Sequence, residues 1–191
     1  METDKLHAIS ATNASVMGTA NEADFLNPKG VYTFQCFDAD GNLKWEDTIK
    51  NLVTTAGKND MEDKYFAGSA YTAAFYMGLV SSVNYTTGVS ATDIMATHPG
   101  WTEAGATNAP TYSQGARPTC AWSAASAGAK ALSASLAFSI TSSGTIKGSF
   151  ITTVATKDGT TGVLFSGGTF TGGDKIVANT DSVTVSYSIS M

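Results

Sequence analysis

Charge is scarce in this chain. Lys, Arg, Asp and Glu make up 14% of its 191 residues, against roughly 25% in an average globular domain. Basic residues are the scarcer kind. Eleven Lys and Arg face 16 Asp and Glu, for a formal net charge of −5, and Arg117 is the single arginine. A nucleic-acid binder needs a clustered basic face that can displace counterions from phosphates. No such cluster occurs, so no nucleic-acid partner is expected. Cysteine is limited to Cys36 and Cys120. Two cysteines in a chain this long are no disulfide scaffold. Both sit among apolar residues, which predicts buried reduced thiols, with one long-range disulfide as the alternative. Long apolar runs are missing too. The most apolar, AAFYMGLV over residues 73–80, falls far short of the ~20 residues of a membrane-spanning helix, so no membrane partner is expected. The first 30 residues show no basic stretch leading into an apolar one, as a secretory signal would. The expectation is a product made in the cytoplasm and soluble there.

What the chain has in plenty is 27 Thr, 20 Ser and 19 Gly. Thr favours strand faces, while Gly and Ser favour turns. The length suits one domain, which on folding buries about 70% of the surface its unfolded chain exposes, so no metal or disulfide is needed to build a core.

Charge is spread unevenly. Residues 1–66 hold 17 of the 27 charged side chains and residues 119–191 only 7. Residues 1–30 read as an extended N-terminal arm whose larger apolar groups are Leu6, Ile9, Val16, Phe25 and Leu26. No period organises them, and Asn27-Pro28-Lys29-Gly30 ends the arm as a turn. Residues 31–191 read as a single β-sandwich domain. Val31–Phe37 and Leu43–Ile49 are predicted strands of a hairpin around Asp38-Ala39-Asp40-Gly41-Asn42. Residues 54–67 are the one good helix candidate, with Met61, Tyr65 and Phe66 at helical spacing and Gly68 as a stop. Tyr71–Val80 is a predicted buried strand. Residues 81–118 carry three of the four prolines and read as a long loop with a short helical turn near Thr92–Ala96; a loop this long in a compact domain usually has a task. Leu132–Ile140 and Ser182–Ile189 alternate apolar and polar residues, as half-buried antiparallel strands do. Shorter strands are predicted over Thr145–Val154, Gly162–Phe165 and Lys175–Ala178. The fold class is therefore mainly β: an antiparallel sandwich or jelly-roll-like barrel with one short helix.

Few constellations carry chemistry. His7 lies in the arm and His98 before Pro99, with no HExxH, CxxC or GxSxG pattern, so neither a zinc site nor a nucleophile–base pair is indicated. Asp38-x-Asp40-Gly41-Asn42 lacks the sixth-position Gly and twelfth-position Glu of a calcium loop and reads as a plain turn. Gly167-Gly168 and Gly172-Gly173 open no helix and precede no GK[ST], so they are turn glycines rather than phosphate cradles. Glu46 and Asp47 point to opposite faces of a strand, and Glu62 and Asp63 to the exposed side of a helix. No catalytic residue, metal or cofactor is expected. The aromatic residues Trp101, Tyr112 and Trp122, in or beside the long loop, leave two readings open: anchors of an interface, or plugs at the end of a sandwich.

The stretch VYTFQCFDADGNLKWEDTIKNLV over residues 31–53 resembles small virion proteins of tailed bacteriophages. So do Asp63–Phe66, the Thr72–Leu79 strand, His98-Pro99-Gly100-Trp101-Thr102-Glu103, Arg117-Pro118-Thr119, GTIKGSF over 144–150, Gly159–Gly162, Gly172–Asp174 and the closing strand Asp181–Ser190. The likeness covers residues 31 to 191 as a whole pattern. It implies a non-enzymatic head decoration or cement protein on the outer head surface. Its partners would be the major capsid protein and neighbouring copies of itself, as a homotrimer. A tail- or fibre-associated sandwich that binds a host glycan or another tail protein is the alternative. The candidate interaction residues are Trp101, Tyr112 and Trp122 of the domain and Leu6, Ile9, Phe25 and Leu26 of the arm.

Overall fold

The computed structural model describes residues 28–71 and 74–191. Leu6, Ile9, Phe25 and Leu26 therefore lie outside the described residues. The described residues fold as two antiparallel sheets packed face to face, with one helix. The sheets form an open sandwich rather than a closed barrel.

The first sheet starts from the predicted hairpin. β1 (Lys29–Phe37) and β2 (Leu43–Lys50) pair antiparallel, so Lys29 and Gly30 belong to the sheet and not to the arm. Asp38 holds the turn with its side chain: its Oδ1 accepts from the N–H of Asp40 at 3.0 Å and of Asn42 at 2.8 Å. Gly41 supplies the left-handed step, at φ +84°, that other residues adopt with strain. The last strand of the chain, β11 (Ser182–Ser190), lies on the other side of β1. Its register places Tyr187 opposite Tyr32, Val185 opposite Phe34 and Val183 opposite Cys36. All six are buried, and the two tyrosine rings meet at 4.5 Å. The alternation read from the sequence is therefore the inward face of a half-buried sheet.

The predicted single strand over Leu132–Ile140 is two strands. β6 (Ala129–Ala131) pairs with the end of β11 and β7 (Leu136–Ser139) with its beginning. Residues 133–135 between them are exposed. Strict alternation continues through them, but Ser133-Ala134-Ser135 offer little apolar surface to hold a strand against the core.

The second sheet is ordered β3 (Leu52–Val53), β9 (Leu164–Thr169), β8 (Gly144–Thr152), β4 (Tyr76–Ser81), β5 (Thr102–Ala104), with β10 (Lys175–Val177) also on β8. Its central strands β9, β8 and β4 are buried on both faces. Met77, Leu79, Ile151 and Phe165 join Tyr32, Phe34 and Val185 in the main core. Val80, Phe150 and Leu164 form a second cluster with Met95 and Trp101. Close packing across this sheet requires Gly78: a Cβ there would lie 2.3 Å from the Phe150 ring.

The helix α1 (Thr55–Tyr65) begins at Thr54, whose Oγ1 accepts from the Gly57 N–H at 3.0 Å. Gly57 lets the first turn sit against β9, where a Cβ would come 2.2 Å from the Phe165 carbonyl oxygen. Past the helix, Gly68 takes φ +67°, the left-handed step that ends helices.

Both cysteines are buried and free. Burial pushes the Cys120 thiol from its ordinary value near 9 to about 12. Burial, then the neighbouring Asp181 carboxylate, do the same for Cys36. The unfolded chain releases these protons from about pH 9 while the folded chain keeps them, so the stabilisation present below pH 9 is lost as pH rises towards 12. The urea midpoint is expected to fall across that interval, and less steeply in Cys120→Ala.

Candidate functional site

The long segment between β4 and β8 is where the sequence placed its domain aromatics. It does not form a free loop. Residues 82–101 fold over the outer face of the second sheet, and β5 then joins that sheet's edge. The predicted helical turn near Thr92–Ala96 is instead a tight turn in which Ile94 and Thr97 bridge each other. Asp93 fixes it: its Oδ2 accepts from the Ser90 N–H at 2.9 Å and from the Trp101 indole N–H at 2.8 Å. A carboxylate that caps the chain in this way competes with helix formation.

Trp101 is buried, 5.1 Å from the Phe150 ring and stacked at 4.0 Å by His98. Tyr112 is buried against Phe138 at 5.0 Å. Both are therefore plugs of the sandwich, and the reading of Trp101 and Tyr112 as surface anchors is corrected. Trp101 covers the outer face of the second sheet with Met95, whereas Tyr112 joins the main core between the two sheets. Trp122 is half-buried and packs edge-on to Phe75 and Tyr187. It contributes to the same core and keeps part of its surface.

The one arginine is also inside. Arg117 donates from Nε and Nη2 to the two carboxylate oxygens of Glu103, at 2.8 and 2.7 Å, and from Nη1 to the Val154 carbonyl at 2.7 Å. Both side chains are essentially without exposure, 0% and 4%. Glu103 Oε2 accepts a further bond from the Asp158 N–H at 2.7 Å. Lys157 lies 4.2 Å over the Tyr112 ring and donates to the carbonyls of Gly105 and Tyr112. Burial lowers the Lys157 pKa, against the pull of Glu103 and Asp158. Burial, then the Glu103 charge, raise that of Tyr112, so its phenol stays neutral. The cluster joins β5, residue 117 and the 153–159 turn. With both Glu103 oxygens already engaged, it offers no free base to a substrate. No group of three or more His, Cys, Asp or Glu among the described residues could hold a metal ion. None of the described helices is long and apolar enough to cross a membrane.

The surface feature that stands out lies elsewhere, at the end of the sandwich where residue 28 enters. A groove of about 490 Å³ runs beside α1. Half-buried Met61 and Phe75, which pack on the main core, form its floor with buried Pro28. Tyr65, Phe66 and Tyr71 form its rim at 79%, 75% and 81% exposure. The Tyr65 and Phe66 rings meet edge-on at 5.0 Å. Three large rings this exposed within seven residues are unusual on a soluble surface, and such patches mark contact sites. The sequence placed Tyr65 and Phe66 on the apolar face of the helix with Met61. Only Met61 reaches the core. The signal available in the sequence was the surplus of rings around Gly68 beyond what one short helix can bury.

No protein-family model matches this chain, and no curated protein is detectably similar to it.

The Arg117–Glu103 pair makes a direct test of what holds the long segment down. Arg117→Ala strands a buried carboxylate and is expected to cost about 3–5 kcal/mol in urea unfolding. Arg117→Met combined with Glu103→Leu removes both charges and is expected to recover most of that loss.

Proposed function

We propose that this chain is a non-enzymatic structural component of a tailed-phage particle, of the head decoration or cement type. It binds the major capsid protein and neighbouring copies of itself on the outer head surface, as a homotrimer. The observation that carries the reading is the apolar groove with its rim of Tyr65, Phe66 and Tyr71. An exposed aromatic patch on a rigid sandwich suits docking onto another protein. The likeness of residues 31–191 to small virion proteins supplies the class. Repeated copies on a symmetric shell make modest contacts strong through avidity.

The alternative, a tail or fibre module that stacks on sugars, has less support. Two of the three rings it would use, Trp101 and Tyr112, are covered. Association with another tail protein would use the same groove.

The test is co-sedimentation with empty heads of the phage that encodes the chain, after its mass in solution has been measured. Trimers pelleting at a fixed ratio to the capsid subunit are expected. Tyr65→Ser with Phe66→Ser should weaken that binding about tenfold or more while leaving the melting temperature within a few degrees, since both rings are exposed. Protein left in the supernatant would overturn the head assignment and send the search to the tail.

A further inference from the structure

The edge of a sheet presents a row of backbone N–H and C=O groups, a template for another strand. Most edges of this fold are engaged. The Gln114 side chain bonds β7 at Ala137 and Ser139. Ser126 bonds Ala129 in β6. The Asn108 side chain holds the Glu103 carbonyl in β5, and the Trp45 indole that of Ile176 in β10. β3 is two residues long. β2 differs. It runs for eight residues and, among the described residues, pairs only with β1.

The β1–β2 ladder fixes which groups of β2 face outward. Asn51 donates to the Gly30 carbonyl, one step beyond the Val31–Lys50 pair. Hydrogen-bonded pairs alternate along an antiparallel ladder. Ile49 and Asp47 therefore bond β1, while Lys50, Thr48 and Glu46 turn their N–H and C=O groups to the edge. The side chains of these three are exposed.

We infer that β2 pairs with β2 of a second copy, antiparallel about a two-fold axis at Thr48. With the other edges engaged, the edge left to meet β2 is another β2, and two identical edges close about a two-fold. Charge sets the register. With the axis at Thr48, each Glu46 faces the other copy's Lys50. An axis at Asp47 would set Lys44 against Lys50, and one at Glu46 would set that carboxylate against itself. An axis at Trp45 would need Lys44, which Asp181 already holds. Glu46 and Lys50 make no ion pair among the described residues. Opposite charges, and two threonines, placed directly across an antiparallel pair are favourable. The Thr48 N–H rests on the Asp47 carboxylate at 2.7 Å. Pairing moves it to the facing Thr48 carbonyl, and Asp47 keeps Lys175, 2.7 Å from its other oxygen. A ladder over residues 46–50 with exposed ion pairs is a weak contact, favoured by high local concentration. In the particle reading it joins one trimer to the next, but the pairing does not depend on that reading.

Oxidative crosslinking of the full-length protein, without particles, tests it. Thr48→Cys sets two thiols across the axis at a hydrogen-bonded pair, where Cα atoms lie about 5.5 Å apart, within disulfide reach. Cys36 and Cys120 are buried with thiol pKa values of about 12 and stay unreactive near neutral pH. A disulfide-linked pair of chains is expected, at a rate that rises with protein concentration. It should form about tenfold or more faster than in Thr33→Cys, an exposed site one strand in from the edge. Adding Glu46→Lys to Thr48→Cys opposes like charges and should slow the reaction about fivefold or more, and adding Lys50→Glu to both should restore it. Three results would each overturn the inference: Thr48→Cys no faster than the control, a rate indifferent to Glu46→Lys, or a charge exchange that fails to restore it. Failure of head binding with the crosslink intact would count against the particle reading alone.

Discussion

A sheet that is apolar on both faces cannot stand at the surface, and most of this fold follows from that constraint. The second sheet presents Met77, Leu79 and Ile151 to one side and Val80, Phe150 and Leu164 to the other. The first sheet covers the inner side. Among the described residues no further strand or helix covers the outer side; residues 82–101 do so, and Trp101 is the largest of their side chains there. Such a cover has few strand bonds of its own. It is held by side chains instead: Asp93 on the indole of Trp101, and Arg117 on Glu103.

Those anchors explain why polar groups appear so deep in a chain with so little charge. A buried ion pair gains little over apolar packing but is costly to half-remove. It therefore favours one arrangement of the segment over others. Glu103 lies in β5, Arg117 beyond Tyr112, and the carbonyls and N–H that complete the pair come from the turn at 153–159. Three stretches distant in sequence are held in one register by one guanidinium.

The parts of the fold legible in the sequence were those governed by a single neighbour relation. The β1–β2 hairpin is written in the alternation of residues 31–37 and in Asp38 and Gly41. β11 is written in Val183, Val185 and Tyr187. The buried strand predicted over Tyr71–Val80 is there as β4, which begins only at Tyr76. What covers such a strand is a long-range matter, and Trp101 and Tyr112 read equally well as plugs or as anchors until their partners were seen. Ser133–Ser135 kept a perfect period without the bulk to hold it. The helix at 55–65 was legible in type, but period alone did not show that Tyr65 and Phe66 face outward.

Burying the only arginine leaves the protein without a guanidinium to show the outside world. Every positive charge on its side-chain surface is a lysine or a histidine, a strongly hydrated point charge or a weakly basic ring that cannot grip a carboxylate with two parallel bonds. Contacts made by such lysines are weak and fade with salt. Any contact with a carboxylate outside the protein would therefore be made by point charges and be sensitive to salt.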